Sequence, residues 1–452
     1  MNAPCEIPMA PRALPVLGNI GLLRDPGAFL TGLPALGQLV RIRLGPATAI
    51  AVCDPEMTRQ VMVDDRTFDK GGPFFDRARE IISNGLPTCM HDEHRRQRRL
   101  VQPAFHHTRL PGYGRMIAAQ IAATTQAWRD GEVVDVLADT QGFAARTLAV
   151  TMFSDELSPS EVRQITQDVT NIAKGTFWRM LIPPLRRLPT PGNVRFYRTL
   201  ARLRAVTSRL VAERRASGAD SGDLLSALLA ARDPEDASQG LSDDEIYDQV
   251  GTFLLAGIDT TGNLVAWALH LLAAHPDIED RLHAELDTVL GGGDVATYDD
   301  LPRLELTGRI ITETLRLYSP SWLLTRTVTR ATRLANHAIP VGTTVVVSPY
   351  FLHYRADLFD RPDEFDPDRW LPARAAAVPR DAYIPFGAGA RQCIGNQFGL
   401  VEGVLALATI AARWRLRPLP GQRVRPSLAG SVRPRSLRMR AVARTRTLIS
   451  ER

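Results

Sequence analysis

Phe386-Gly387-Ala388-Gly389-Ala390-Arg391-Gln392-Cys393-Ile394-Gly395 is the most constrained stretch of this 452-residue chain. Three glycines open backbone dihedrals closed to other residues and let N–H groups come close to the sulfur. An apolar helix, predicted from about Asn396 to Trp414, follows at once and sets Cys393 at a helix N-terminus. There the helix dipole, with Arg391 two residues away, favours the thiolate. The ordinary fate of a lone cysteine in a Gly-rich turn is simple burial, so the loop has to be read with the rest of the chain.

Upstream lie Tyr383-Ile384-Pro385, then Phe365-Asp366-Pro367-Asp368-Arg369-Trp370, and then Glu313-Thr314-Leu315-Arg316 on a helix predicted from about Pro302 to Tyr318. The ExxR spacing alone says little, since Glu56/Arg59 and Glu93/Arg96 repeat it. A surface pair at this spacing is worth only about 0.2–0.5 kcal/mol. Further upstream, Ser242 and Glu245 have capping-box spacing and open a helix that should run to about Ala274, where His275-Pro276 ends it. Val250 to Ile258 and Leu264 to Leu272 are almost wholly apolar, so this helix should cross the core. Its middle reads Ala256-Gly257-Ile258-Asp259-Thr260-Thr261. Gly257 costs about 1 kcal/mol against Ala in a helix interior, and Thr260 can bond back to the Ala256 carbonyl. Both residues also serve close packing. Asp259 is harder to dismiss, because a buried carboxylate needs a partner or a task.

Leu39 to Leu44 and Thr48 to Cys53 flank Gly45-Pro46 and predict a hairpin. Helical periodicity occupies 93–104, 114–129, 140–153, 160–173, 194–217, 222–232 and Pro276 to Leu290. Thr344 to Val347 reads as a strand and Val432 to Val442 as a terminal hairpin. One integrated, mainly α domain with small sheets over 1–452 is expected, with 1–20 as a Pro-rich arm. Four widely spaced cysteines exclude a disulfide framework or zinc ribbon. No long apolar segment suggests a signal peptide or membrane anchor, so a cytoplasmic location is expected. Of 55 basic residues only Lys70 and Lys174 are Lys. From Arg391 onward, 13 Arg face two acids, Glu402 and Glu451, a net +11 within a chain total of +6. No nucleic-acid motif accompanies this charge, and none is expected as a partner. His91 and His94 lack the third ligand a zinc site needs.

The FxxGxRxCxG pattern at 386–395 resembles the haem-binding loop of the cytochrome P450 family. The order of the other motifs agrees from end to end: Gly257 to Thr261, then Glu313/Arg316, then Arg369, then Cys393. The resemblance implies the P450 fold, with haem b held between the long central helix and the cysteine loop. Cys393 would be the axial iron ligand, a thiolate that pushes electron density toward the iron, and Phe386 would belong to the cofactor loop. His94 and Arg98 match the family's HxxxR, though many members have Trp at the position of His94; with Arg326 and Arg391 they would bind the haem propionates. Glu313, Arg316 and Arg369 would form a buried network holding the loop. Asp259 and Thr260 would deliver protons and hold the hydrogen bond that oxygen activation needs.

The activity so implied is monooxygenation: O2 is activated with NAD(P)H-derived electrons and one oxygen atom enters an unactivated C–H bond. No flavin or nicotinamide segment is recognisable, so electrons should come from a ferredoxin and its reductase, docking on part of the basic C-terminal charge. A monomer is expected. Carried over by topology, the substrate pocket comprises Phe74, Phe75, Leu255, Ala256, Trp322, Leu323, Leu324 and Val432. Such a lining indicates a small apolar molecule. Ala266 to Pro276, Ser348 to His353 and Ala382 to Arg391 are similar to bacterial sesquiterpene oxidases of the pentalenene oxygenase type, which implies a terpene. A fatty-acid or polyketide hydroxylase, or a haem-binding isomerase or dehydratase, stands as the alternative.

Overall fold

The computed structural model describes residues 6–14, 18–44, 47–71, 75–76, 78–79, 83–154, 156–181, 188–428 and 430–445. Contacts among Cα atoms divide the chain into two compact units, Met1–Arg95 with Leu315–Cys393 and Arg96–Thr314 with Ile394–Arg452.

The first unit is built on a seven-stranded sheet. Leu39–Leu44 and Ala47–Val52 pair antiparallel, in the register Leu39 to Val52 through Leu44 to Ala47, as their β-rich composition predicts; Gly45 and Pro46 lie outside the described residues. Thr344–Val347 runs parallel to Ala47–Val52 and antiparallel to Leu324–Val328. The short strand Phe68–Asp69 completes that edge against Leu324–Val328. On the other edge the N-terminal arm adds Ala13–Leu14 and Gly18–Asn19. Val52, Val61, Phe68, Leu334, Val345 and Val347 form the core beneath the sheet, none more than 1% exposed, each such burial worth roughly 1.5–3 kcal/mol.

The second unit is a helix assembly around Asp243–Ala274. Its capping box is present: the Glu245 N–H donates to Ser242 Oγ at 3.2 Å and the Ser242 N–H to Glu245 Oε2 at 2.8 Å. Both flanks are buried, at Ile246, Val250, Leu254 and Ile258 and again from Thr261 to Leu269. Its most extensive partner is the helix Val136–Phe153; Asn396–Arg413, Pro159–Leu181 and Pro191–Ser217 pack on it as well.

Several boundaries differ from the sequence reading, and three of the differences change how elements connect. The helix carrying Glu313 starts at Glu305, because Tyr298–Arg303 forms a separate 3-10 turn capped by Asp300 on the Thr297 N–H. Trp414 turns extended and opens the strand Trp414–Pro418. The C-terminal segment is not a hairpin on itself. Arg438–Ala443 pairs with Trp414–Pro418 and Val133–Asp135, while Arg433–Pro434 pairs with Pro426–Ser427. Alternation of buried Met439 and Ala441 with exposed Arg438 and Arg440 marks a strand but cannot name its partner, and Pro434 lacks the N–H that would carry its ladder further.

Candidate active site

The cysteine loop belongs to the first unit. Gly389–Arg391 makes one 3-10 turn, and the Cys393 N–H donates to the Phe386 carbonyl at 2.9 Å, closing the loop around a half-buried Phe386. Gly389 has φ +69°, and a Cβ there would lie 2.6 Å from the Met62 carbonyl oxygen and 2.8 Å from Val63 Cα. Glycine is therefore required for the loop to lie on the helix Pro55–Val63. The Cys393 thiol is unbridged and exposed, three residues before the helix that opens at Asn396.

Beside it in sequence, Arg391 joins a buried basic group. Its terminal nitrogens donate to the Cys89 carbonyl and to Asp69 Oδ1, both at 2.7 Å. Asp69 Oδ1 also accepts from the Lys70 N–H, and Asp69 Oδ2 from the His91 N–H that opens the helix His91–Val101. Arg326, carried by the strand Leu324–Val328 next to the sheet edge, is 2% exposed and donates to the Thr325 carbonyl and the Met62 sulfur. Among the described residues neither Arg326 Nε nor Arg391 Nε has a hydrogen-bond partner. Burial, then the Arg391 charge, pull Arg326 down to about 10, and burial followed by Arg326 and Arg391 pulls Lys70 well below its ordinary value. Lys70 Nζ lies 4.5 Å from the Phe75 ring centroid. Cations this crowded, with two unspent N–H groups, are the chemistry that receives a carboxylate ligand, and an anion there would oppose the part of the Lys70 shift that its cationic neighbours cause. The residues thus fit haem propionates. His94 is 2% exposed in the helix His91–Val101, and Arg98 is half-buried with Nε on Gln102 Oε1 at 3.1 Å.

Glu313, Arg316 and Arg369 are all buried, at 0%, 1% and 3% exposure. Arg316 donates to the carbonyls of His353, Pro362 and Glu364 at 2.8, 2.6 and 3.0 Å. Arg369 donates to the carbonyls of Asp360 and Arg361. The two guanidiniums therefore knit one irregular segment by its backbone. His353 links that segment to the cysteine loop's approach: its Nδ1 bonds the Arg316 carbonyl at 2.9 Å and its Nε2 accepts from the Ile384 N–H at 3.1 Å. Those two partners fix the tautomer with the proton on Nδ1. Burial pushes the His353 pKa down to about 3.

On the long helix of the second unit, burial breaks at Leu255 to Gly257 and at Asp259-Thr260, where Ala256 is exposed in the middle of an otherwise buried element. Thr260 Oγ1 donates to the Ala256 carbonyl at 2.6 Å, the back-bond its position predicts. Asp259 Oδ1 accepts from Gln141 Nε2 at 3.2 Å. Gly257 has a packing reason, since a Cβ there would lie 2.8 Å from Leu148 Cδ2. One turn of helix below, Thr261 lies near Glu402, a 2% exposed carboxyl that burial pushes up to about 8 against hydrogen bonding from Thr261 and Thr147.

Among the expected pocket residues, Phe74 lies outside the described residues. Phe75 is 6% exposed, Trp322, Leu323 and Leu324 are half-buried, and Leu324 packs on the first unit's core. Leu255 and Ala256 belong to the open part of the long helix, whereas Val432 is fully buried and accepts from Trp267 Nε1 at 3.3 Å. Sequence reading missed Lys70, Gln141, His353 and Glu402. Two signals were available: Lys70 is one of only two lysines, and Glu402 is the lone acid of an apolar helix, the argument already applied to Asp259.

The architecture, mainly helical with small sheets, is that of a solved haem domain described as cytochrome P450DA, matched with a TM-score of 0.86 and 28% identity over 97% of this chain and 98% of that one. The family profile described as Cytochrome P450 matches residues 8–440. The chain belongs to the cytochrome P450 family and is a monooxygenase that depends on haem iron, O2 and electrons from a redox partner. It is 46% identical to pentalenene oxygenase of Streptomyces avermitilis over 96% of this chain and 97% of the relative. It is 45% identical to cyclooctatin synthase of Streptomyces melanosporofaciens, over 95% and 94%, and 44% identical to cyclooctat-9-en-7-ol 5-monooxygenase of the same organism, over 93% and 92%. Among the described residues no helix is long and apolar enough to cross a membrane.

Proposed function

We propose that the protein is a cytoplasmic haem b monooxygenase that hydroxylates a cyclic terpene of sesquiterpene size, with electrons passed from NAD(P)H through a ferredoxin reductase and a ferredoxin. The observation that carries the substrate class is the similarity, at 44–46% identity over nearly the whole chain, to bacterial oxygenases named for pentalenene and cyclooctat-9-en-7-ol. One name denotes a hydrocarbon and the other a molecule with a single hydroxyl, which agrees with the apolar Phe75, Leu255, Ala256 and Leu323.

Haem, when bound, supplies the oxidising chemistry, in which O2 is reduced and one oxygen atom is transferred. The protein's residues hold and protonate. Cys393 would hold the iron, its loop fixed by Gly389 and by the Cys393 N–H on Phe386. Arg326 and Arg391, through their uncommitted Nε–H groups, would hold propionates together with His94 and Arg98. Thr260 donates its hydroxyl proton to Ala256, so its oxygen lone pairs are oriented to accept from a water, and Asp259 would carry protons inward. Of the C-terminal arginines, Arg415 and Arg417 are paired with Glu279 and Arg444 with Asp287. An acidic ferredoxin would meet those that stay exposed.

Thr260→Ala should leave haem and substrate binding intact while electrons consumed emerge as hydrogen peroxide; unchanged coupling would remove Thr260 from this role. The substrate class is tested by type I spectral titration with pentalenene, a long-chain fatty acid and a macrolide. A tight response to the sesquiterpene is expected, and one confined to the fatty acid would refute the terpene reading.

A further inference from the structure

The helix Val136–Phe153 approaches the long helix more closely than side chains ordinarily permit. A Cβ on Gly262 would lie 2.8 Å from the Cα and 2.9 Å from the backbone nitrogen of Gln141, atoms that cannot swing aside. Gly257, five residues earlier, makes its close contact with Leu148, seven residues after Gln141. The two contacts run in opposite chain directions, so the crossing is antiparallel and pinned at two points. At this separation the Gln141 amide reaches both Asp259 and Asn263. Its Nε2 donates to Asp259 Oδ1 at 3.2 Å and to Asn263 Oδ1 at 3.0 Å, and one amide nitrogen carries the two protons this needs. Asn263, fully buried, turns its own Nδ2 to Ser431 Oγ at 2.7 Å.

Every donor in this array is an amide. Amides donate without surrendering or relaying protons, so the array cannot conduct and can only orient. We infer that Gln141 is a positioning residue for Asp259: its amide, pinned by Asn263, holds the carboxylate in one rotamer beside Thr260, and Gly262 is the residue that lets the amide reach it. This rests on the reading of Asp259 as the inward carrier of protons.

Gln141→Met removes the donor at nearly constant volume, and Gln141→Glu keeps the shape but sets an acceptor against the carboxylate. In the holoenzyme, driven by a plant-type ferredoxin and its reductase with pentalenene as probe, both variants and Asp259→Ala should release several-fold more hydrogen peroxide per electron pair than the parent. Pentalenene titration midpoints should not move. Independently of turnover, Gln141→Met should lower the melting temperature more in the native background than in the Asp259→Ala background, because only the former loses the Gln141–Asp259 bond. Equal shifts in the two backgrounds, or normal coupling in both Gln141 variants while Asp259→Ala uncouples, would overturn the positioning role alone. Normal coupling in Asp259→Ala would overturn the underlying reading, and the inference with it.

Discussion

His353 in the first unit and Glu402 in the second are both buried and both uncharged at neutral pH, yet the two are held in different ways. His353 spends each ring nitrogen on a backbone group, the Arg316 carbonyl and the Ile384 N–H, and stacks on Tyr383 with ring centroids 5.5 Å apart. Glu402 lies beside the hydroxyls of Thr261 and Thr147, but neither its Oε1 nor Thr147 Oγ1 has a hydrogen-bond partner among the described residues. The backbone-satisfied site is rigid because its partners cannot rotate away. The other site leaves a buried carboxyl oxygen and a buried hydroxyl unmatched, so burial rather than fixed bonds sets its protonation. The segment below the cysteine loop is therefore braced structure, whereas the stretch around Thr261 encloses a buried carboxyl with few fixed partners.

The largest effect should come from cutting the bracing. Arg316→Leu strips three carbonyls of their buried charged donor and should cost about 3–5 kcal/mol. Little folded, haem-loaded protein would then be recovered, as measured by haem per purified protein. Normal yield and haem content would show that the segment holds itself. His353→Phe keeps the ring but leaves Ile384 N–H and the Arg316 carbonyl unmet, a loss of about 2–4 kcal/mol in urea unfolding at pH 7. The pH dependence follows from the sign of the shift. His353 is depressed from 6.5 to about 3, so between those values the unfolded chain binds the extra proton and stability falls as pH drops. The variant should lack that part of the slope.

Glu402 works in the opposite direction, and its effect is smaller. Raised from 4.5 to about 8, it keeps a proton that the unfolded chain has released, so its contribution to stability falls as pH rises through that window. Glu402→Gln should remove this slope, gaining up to about 1.4 kcal/mol per pH unit relative to the parent. Parallel stability curves for the two proteins from pH 5 to 8 would mean that Glu402 is ionised in the fold and that the contrast with His353 is false.

The cysteine loop was legible because its thiol is one of only four in the chain and its glycines stand at spacings that backbone geometry requires, as Gly389 shows. The long helix was legible from its cap and its apolar flanks, and Thr260 made the back-bond its position predicts. Gly257 is explained by close packing, and Leu148 supplies the contact. His353 was not legible, since its partners are backbone groups 37 and 31 residues away and no side-chain pattern encodes them. The same limit hid the partner of Arg438–Ala443. Gln141 was invisible because an exposed-looking glutamine in a helix gains meaning only when Gly262 brings it to Asp259.

The account stands most directly on Cys393. The measurement is the absorption spectrum of the dithionite-reduced carbonyl complex of the parent and of Cys393→Ser, each with its haem content determined separately. The parent should show the red-shifted Soret band of a thiolate-ligated haem, and Cys393→Ser should lose that band while retaining bound haem. A red-shifted band that survives in Cys393→Ser would contradict the assignment of Cys393 as the iron ligand.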